Sequence, residues 1–528
     1  MFKTIKQDLP AGVVVFLVAV PLCLGIALAS GAPFFSGIIS GIIGGIVIGF
    51  FSGSKLSVSG PAAGLAALVL SSIQNIGSFP LFLCAVFLAG LIQIALGLLR
   101  LGGIASFFPS SVIKGLLTSI GILIIAKQIP HALGLDYSEP GSLFEFLNLE
   151  HKPQTLTSHI NAGPLLICLL SIGIMLIWEK PFIKNKMKFI PGALVAVIFS
   201  VLINAFFKIG VEDFVVKDSF LVQTKAASSV SEFFSFFTLP DFSGFGNNKV
   251  ILVGIMIAVI ASLETLLSIE AVDNIDPERN MTNTNRELVA QGIGNSIAGL
   301  IGGLPVTSVI VRSSANVYSG AKSKMSAIFH GLLLLFSIIL IPGILNLIPL
   351  ASLAAILLIT GYKLCNPMVF VKMYKNGKYQ FIPFMATLFT ILAIDLFVFF
   401  PSIKGEGLLI GVVVGLITAM FSVLMGNMKN SYRFQEEKHQ SGDMIKIHLA
   451  EEVSFLNKAS IRETLNKIPE NTIVVIDASA TKYIDFDVLE LIKEFRDIKA
   501  PHKKINCKTI HFKESYKMDN TGFVQSSH

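Results

Sequence analysis

The run Val250-Ile-Leu-Val-Gly-Ile-Met-Ile-Ala-Val-Ile-Ala-Ser-Leu-Glu-Thr-Leu-Leu-Ser268 decides the reading of this chain. It approaches the about 20 apolar residues that a helix needs to cross a hydrocarbon core, yet it carries one carboxylate, Glu264. A charge is costly in hydrocarbon, so Glu264 must face a protein interior, where it binds a cation, carries a proton or meets a partner. Ser268 follows at i+4, which puts its hydroxyl on the same helix face. A carboxylate and a hydroxyl on one face suit Na⁺, or a proton if burial keeps the carboxyl neutral. The plainer alternative is a neutral Glu in an interhelical hydrogen bond.

Two further stretches say what Glu264 faces. Ser57-Val-Ser-Gly-Pro-Ala-Ala-Gly64 and Gly302-Gly-Leu-Pro-Val-Thr-Ser-Val309 are short, Gly/Pro-interrupted apolar segments, each third in its half of the apolar region. Matched interruptions of this kind point to a binding site at the bilayer midplane, formed by half-helices entering from opposite sides. Pro61 is expected at the first helical position of one, and Thr307 and Ser308 offer hydroxyls for the N-cap of the other. Two helix N-termini aimed at one point form an anion site without a basic side chain. Ala62, Ala63 and Gly64 are small enough for a ligand to approach the backbone. Arg312 either adds positive potential there or pairs with a carboxylate such as Glu264. Asp395 is a second intramembrane acid, as readily a structural partner as a functional one.

The rest of the composition fits a membrane protein. The 528 residues are 53% hydrophobic and 14% charged, with a mean hydropathy of +0.73, too apolar for an ordinary soluble protein. Fourteen candidate spans are expected, read as a seven-plus-seven inverted repeat over about 8–207 and 249–425, with 57–72 and 305–319 too short for full crossings. With the N-terminus inside, Lys55, Arg100, Lys180, Lys184, Lys322, Lys324, Lys363, Lys372 and Lys375 all fall on the inner side, as the positive-inside rule requires. The outer connections, about 129–161 and 208–248, hold Asp136, Glu139, Glu145 and Glu150 and then Glu212, Asp213 and Asp218. The net charge of +7 is gathered at helix ends, which suits orientation in a bilayer and not nucleic-acid binding. Cys23, Cys84, Cys168, Cys365 and Cys507 lack CxxC spacing, so neither a metal site nor a disulfide framework is expected. No P-loop and no GxSxG occur, which argues against ATP-driven transport and hydrolase chemistry, and no catalytic residues are assigned.

Beyond Asn427 the pattern changes. After a linker at 427–443, Met444 to Ala450 alternates like a strand, 457–468 is amphipathic, Thr472 to Asp477 is a buried-strand run, Phe486 to Ile498 reads as helix and Ile505 to Phe512 alternates again. This is a small α/β domain over 444–512 in β-α-β-α-β order, followed by a tail, 513–528, expected to be disordered.

The opening 8–31, Ser57 to Gly64, Ala261 to Ser268, Asn285 to Asn295 and Gly302 to Val317 together resemble the SulP (sulfate permease) family of anion transporters. Residues 476–479 and 483–490 are similar to a STAS domain. The resemblance implies core and gate regions, elevator-like alternating access, a homodimer in the cell's inner (plasma) membrane, and a cytoplasmic STAS domain beside a cytoplasmic N-terminus. It implies an inorganic anion as substrate, with bicarbonate and sulfate leading, and no resident cofactor beyond Na⁺ or a proton as coupling ion. The anion site then uses Gly60, Pro61, Ala62, Ala63, Gly64, Thr307, Ser308 and Val309, and the coupling site Glu264 and Ser268. Val309 and Ile310 are bulkier than the residues usual there, and Asp487 stands where related soluble regulators carry a phosphorylated serine. A passive channel, an exchanger and a membrane-anchored scaffold are the competing functions. The first wants more polar residues along its spans, and a scaffold has no use for an intramembrane carboxylate.

Overall fold

The computed structural model describes residues 4–103, 109–135, 161–186, 190–210, 214–224, 230–396, 406–429, 432–439, 442–454, 457–513 and 516. The expected acidic residues of the first long connection, Asp136 to Glu150, and most of the tail lie outside these. Two compact units are present, Met1–Lys375 with Phe384–Leu416 and Asn376–Pro383 with Ile417–His528.

Apolar helices dominate the first unit. In chain order they are α1 (Ile5–Ala29), α2 (Phe34–Phe51), then strand β1 (Ser59–Pro61), α3 (Ala63–Ile76), α4 (Phe79–Leu98), α5 (Ser110–Leu133), α6 (Ala162–Trp178), α7 (Gly192–Gly210), α8 (Asn248–Ile275) and α9 (Thr284–Ile301). Strand β2 (Val306–Ser308) follows, then α10 (Ile310–Tyr318), α11 (Met325–Leu340), α12 (Leu350–Leu364), α13 (Lys378–Asp395) and α14 (Gly407–Lys429), of which 378–383 and 417–429 are counted in the second unit. Among the described residues, eight helices are long and apolar enough to cross a membrane, and α3, α6 and α11 are shorter apolar helices. The fourteen expected spans are thus not all full-length. The third and tenth are each a three-residue strand followed by a helix, and α10 has nine residues.

Local chemistry sets the ends that matter. Asn247 caps α8 by accepting the Lys249 N–H at 2.9 Å, and Asn283 caps α9 by accepting that of Arg286 at 3.0 Å, each satisfying a donor the helix cannot. Gly302, at φ 91°, stops α9 in the left-handed conformation that glycine adopts without a Cβ penalty, and the chain then turns into β2. α1 is buried along most of its length, with Val18, Leu22, Leu24, Ile38, Leu334 and Leu353 in one apolar cluster.

In the second unit, β3 (Tyr432–His439), β4 (Gly442–Leu449), β6 (Ile473–Asp477) and β8 (Asn506–Ile510) form one sheet in that order, with β5 (Glu452–Val453) and β7 (Tyr483–Ile484) as a short separate pair. β3 is antiparallel to β4, and β4, β6 and β8 are parallel. Helices α15 (Lys458–Lys467) and α16 (Phe486–Glu494) bury Ile461, Leu465, Val488 and Ile492 in the same core as Ile445, Ile447, Val474 and Ile476. The expected linker, 427–443, is corrected here. Residues 432–439 pair along their whole length with β4, through the backbone N–H and C=O that every non-proline residue carries whatever its side chain.

At the carboxyl end of β6, Asp477 is buried. It accepts from His511 Nδ1 and from the Ser479 N–H, both at 2.9 Å, with His448 Nδ1 at 3.3 Å and Lys446 Nζ at 3.6 Å. Asp487 lies in the first turn of α16, its N–H bonded to Asp485 and its carboxylate 3.5 Å from Lys458 Nζ.

Candidate functional site

The two interrupted segments meet. β1 and β2 are antiparallel, pairing Ser59 with Ser308, Gly60 with Thr307 and Pro61 with Val306, and the Val309 N–H donates to Val58 O at 3.0 Å. Running in opposite directions, they launch α3 from Ala62 (φ −107°, ψ 135°) and α10 from Val309 (φ −117°, ψ 115°), both extended N-caps without a side-chain cap bond. Leu65 N–H bonds back to Ala62 O at 3.2 Å, while the N–H groups at the very start of each helix lie ahead of any intrahelical acceptor, and both dipoles present their positive ends beside one small ladder.

Two details correct the expected geometry. Pro61 is the last residue of β1 and not the first of the helix, since its missing N–H is harmless at a ladder position pointing away from the partner strand. Thr307 and Ser308 do not cap α10. They sit inside β2, and their hydroxyls, with that of Ser57, are buried without a hydrogen-bond partner. Unpaired buried hydroxyls are costly, so three of them beside two uncapped helix ends are suited to a polar ligand.

Glu264 comes down on the first of these helices. A Cβ built at Gly64 would lie 2.7 Å from Glu264 Oε1 and 3.1 Å from Oε2, so only a glycine leaves room for the carboxylate there. Oε2 is buried and unbonded. A cavity of about 20 Å³ opens beside it, lined by Gly64, Glu264 and apolar side chains including Ile113, Leu116, Ile120 and Leu263. That is room for about one water molecule. Ser268, one turn further along α8, is also buried but does not line this cavity.

Arg312 does not pair with Glu264. Its buried guanidinium lies across Gly60, where an added Cβ would meet Cζ at 2.9 Å. Nη2 donates to Cys23 Sγ at 3.4 Å, while Nε and Nη1 have no hydrogen-bond partner. The cation thus lies against β1 at Gly60, whereas Glu264 meets the chain at Gly64.

Three residues that the sequence reading passed over also hold the site. Thr265 Oγ1 accepts the Ser308 N–H at 3.2 Å, Gln291 Nε2 donates to Ser59 Oγ at 2.7 Å, and Asn295 bonds Val306 through both its amide atoms. For Gln291 and Asn295 the signal is the spacing of Glu287, Gln291 and Asn295 at i, i+4 and i+8 on one face of α9; Thr265 has only its place beside Glu264.

Known proteins resemble this chain along most of its length. YvdB of Bacillus subtilis (strain 168) is 30% identical over 362 residues, 68% of this chain and 64% of that protein. BicA of Picosynechococcus sp., a bicarbonate transporter, is 27% identical over 363 residues, 67% of this chain and 61% of that protein. The chain spans less than two thirds of either relative's length. The solved structure of murine Solute Carrier 26 family member A9, an anion transporter in the inward-facing state, has a TM-score of 0.74, covers 97% of this chain and 86% of that one, and is 16% identical. The multi-pass helical fold is therefore shared with that protein. Residues 5–387 match the sulfate permease family, most of the chain, and the chain belongs to that family.

Proposed function

We propose that the chain is a secondary active transporter of a small inorganic anion, bicarbonate or sulfate, which it carries by elevator-like alternating access. The anion sits between the N-termini of α3 and α10, and transport is coupled to a cation through Glu264. The reading rests foremost on one observation: a buried carboxylate with an unbonded oxygen is seated on the bare first turn of α3, beside the ladder from which both half-helices start. A cation on Glu264 offsets the charge of an anion held a few residues away. Sulfate and bicarbonate are named from the family and from BicA, the bicarbonate-transporting relative.

A proton suits this site better than Na⁺. Apart from Glu264, the cavity is lined by Gly64 and apolar side chains, whereas a hard cation takes a shell of oxygen ligands. The working form is proposed to be a homodimer in the plasma membrane, with the N-terminus and the C-terminal domain on the cytoplasmic side.

Uptake of labelled bicarbonate and, separately, sulfate into proteoliposomes under an imposed proton or Na⁺ gradient tests this reading, comparing wild type with Glu264→Gln. Gradient-driven uptake of one anion, lost in the variant, supports it. Uptake indifferent to both gradients and to the substitution overturns the coupling and leaves an exchanger or channel.

A further inference from the structure

Strand β2 is three residues long and has one partner, so half of its backbone groups face away from β1. Val309 and Val58 are hydrogen-bonded across the ladder, and the alternation of an antiparallel pair then turns the N–H and C=O of Val306 outward. They do not go unpaired. Asn295 Oδ1 accepts the Val306 N–H at 2.6 Å and Asn295 Nδ2 donates to Val306 O at 2.9 Å. The carboxamide takes the place of a peptide group in a third strand. The same Nδ2 donates to Gln93 Oε1 at 2.7 Å, and Gln93 Nε2 donates to Ser262 Oγ at 3.2 Å, on the helix of Glu264. One turn back on α9, Gln291 Nε2 reaches Ser59 Oγ of β1 and Glu287 Oε1 at 3.0 Å, and Glu287 is anchored by Ser52 Oγ at 2.5 Å and the Gly53 N–H at 2.9 Å. All these side chains are buried.

We infer that Asn295 and Gln291 are positioning residues for the anion site: α9 serves as a side-chain third strand that fixes β1 and β2, and Asn295, through Gln93, ties β2 to the helix carrying Glu264. This deepens the proposed function and rests on it for its transport readout. An apolar side chain at 295 leaves both outward groups of Val306 without partners, which frees the start of α10 to move relative to α3. Neither residue touches the proposed anion position, so the effect falls on affinity and not on the chemistry of coupling.

The test uses the full chain in nanodiscs and proteoliposomes, with bicarbonate and sulfate as probes. In Asn295→Leu, hydrogen exchange of the peptide covering 304–309 should accelerate while that of 250–268 stays as in wild type. The half-saturating anion concentration should rise about tenfold, within what loss of the three hydrogen bonds of Asn295 allows, with the maximal rate within about twofold. Asn295→Asp keeps the acceptor for the Val306 N–H but loses both donated bonds, to Val306 O and Gln93 Oε1, and only the protonated acid restores one of them. Its affinity deficit, relative to wild type at each pH, should therefore shrink as pH falls, a response that a merely structural role does not give. Unchanged exchange at 304–309 in both variants overturns the inference whether or not transport is seen. Anion uptake by wild type with unaltered affinity in both variants also overturns it. Absence of uptake by wild type, with exchange accelerated as expected, strikes at the proposed function and leaves the positioning role standing.

Discussion

Glu264 Oε1 lies 2.7 Å from where a Cβ of Gly64 would be, so the carboxylate of α8 rests on the uncovered backbone of the first turn of α3. Substituting Ala for Gly within an ordinary helix stabilises it by about 0.5–1 kcal/mol. At Gly64 the added methyl meets a carboxyl group that is itself buried, and overpacking of this kind costs about 1–3 kcal/mol. Gly64→Ala is therefore expected to destabilise the protein and to abolish gradient-driven anion uptake. Thermal unfolding of wild type, Gly64→Ala, Glu264→Ala and the double variant forms a cycle. The cost at Gly64 should vanish, or reverse in sign, once Glu264 is truncated. An additive cycle would mean that the two residues do not press on one another.

Arg312 sets function against stability. Two of its guanidinium nitrogens are buried and unbonded, and each such group costs about 1–3 kcal/mol. Arg312→Met keeps the apolar stem and removes both, so the unfolding temperature should rise. Anion uptake should fall at least about tenfold, the equivalent of one lost charged hydrogen bond, because the positive charge beside β1 is gone. A stabilised variant with wild-type uptake would reduce Arg312 to a packing residue.

How far the sequence could be read follows from these same residues. Glu264 stood out because a carboxylate has no cheap place in an apolar helix, and the Gly60-Pro61 and Pro305 interruptions stood out because they break apolar runs. Both are local signals. That the two interruptions pair as a ladder, and that Glu264 lands on Gly64 and not beside Arg312, depends on helices distant in sequence, which no spacing encodes. Asn295 and Gln291 give a weaker signal, because a neutral carboxamide in an apolar span costs less than a carboxylate and its spacing does not say which backbone groups it meets. Strand β3 was mistaken for linker because Arg433, Gln435 and Glu437 alternate with Phe434, Glu436 and Lys438, a pattern with hardly any apolar face. Its pairing is carried by backbone groups.

Asp477 gives the second unit an acid-sensitive staple. Burial alone would raise its pKa. The hydrogen bonds from His511 and Ser479 and the charge of His511 outweigh that and hold it below the ordinary 3.8. A depressed carboxylate contributes stability that is complete above the unfolded-state value and is lost as pH falls through the folded one. Asp477→Asn should then cost about 1.5–3 kcal/mol, the range for hydrogen bonds to a charged group, at neutral pH. The difference between wild type and variant should close only below about pH 4. Denaturant titrations of the full chain at pH 7, 5 and 3.5, read on this unit's transition, check it. A gap that closes already between pH 7 and 5 would show that the ionised Asp477 carboxylate does not carry the stabilisation.

Where the chain can be cut follows from β3. A truncation after Lys429 removes the whole sheet, including β3 and its partner β4. One after residue 440 removes β4 and leaves β3 with eight residues whose backbone groups were satisfied by Tyr432 to His439 pairing with Leu449 to Gly442. An unpaired strand of that length is a template for pairing with other copies of itself. If the first unit is the transport engine, the shorter product should remain monodisperse in detergent and retain part of the wild-type uptake. The longer product should elute as higher oligomers at equal concentration, with its uptake recovered when Phe434 and Glu436 are replaced by proline. Both products losing all uptake, while remaining monodisperse, would make the second unit a required part of the transporter.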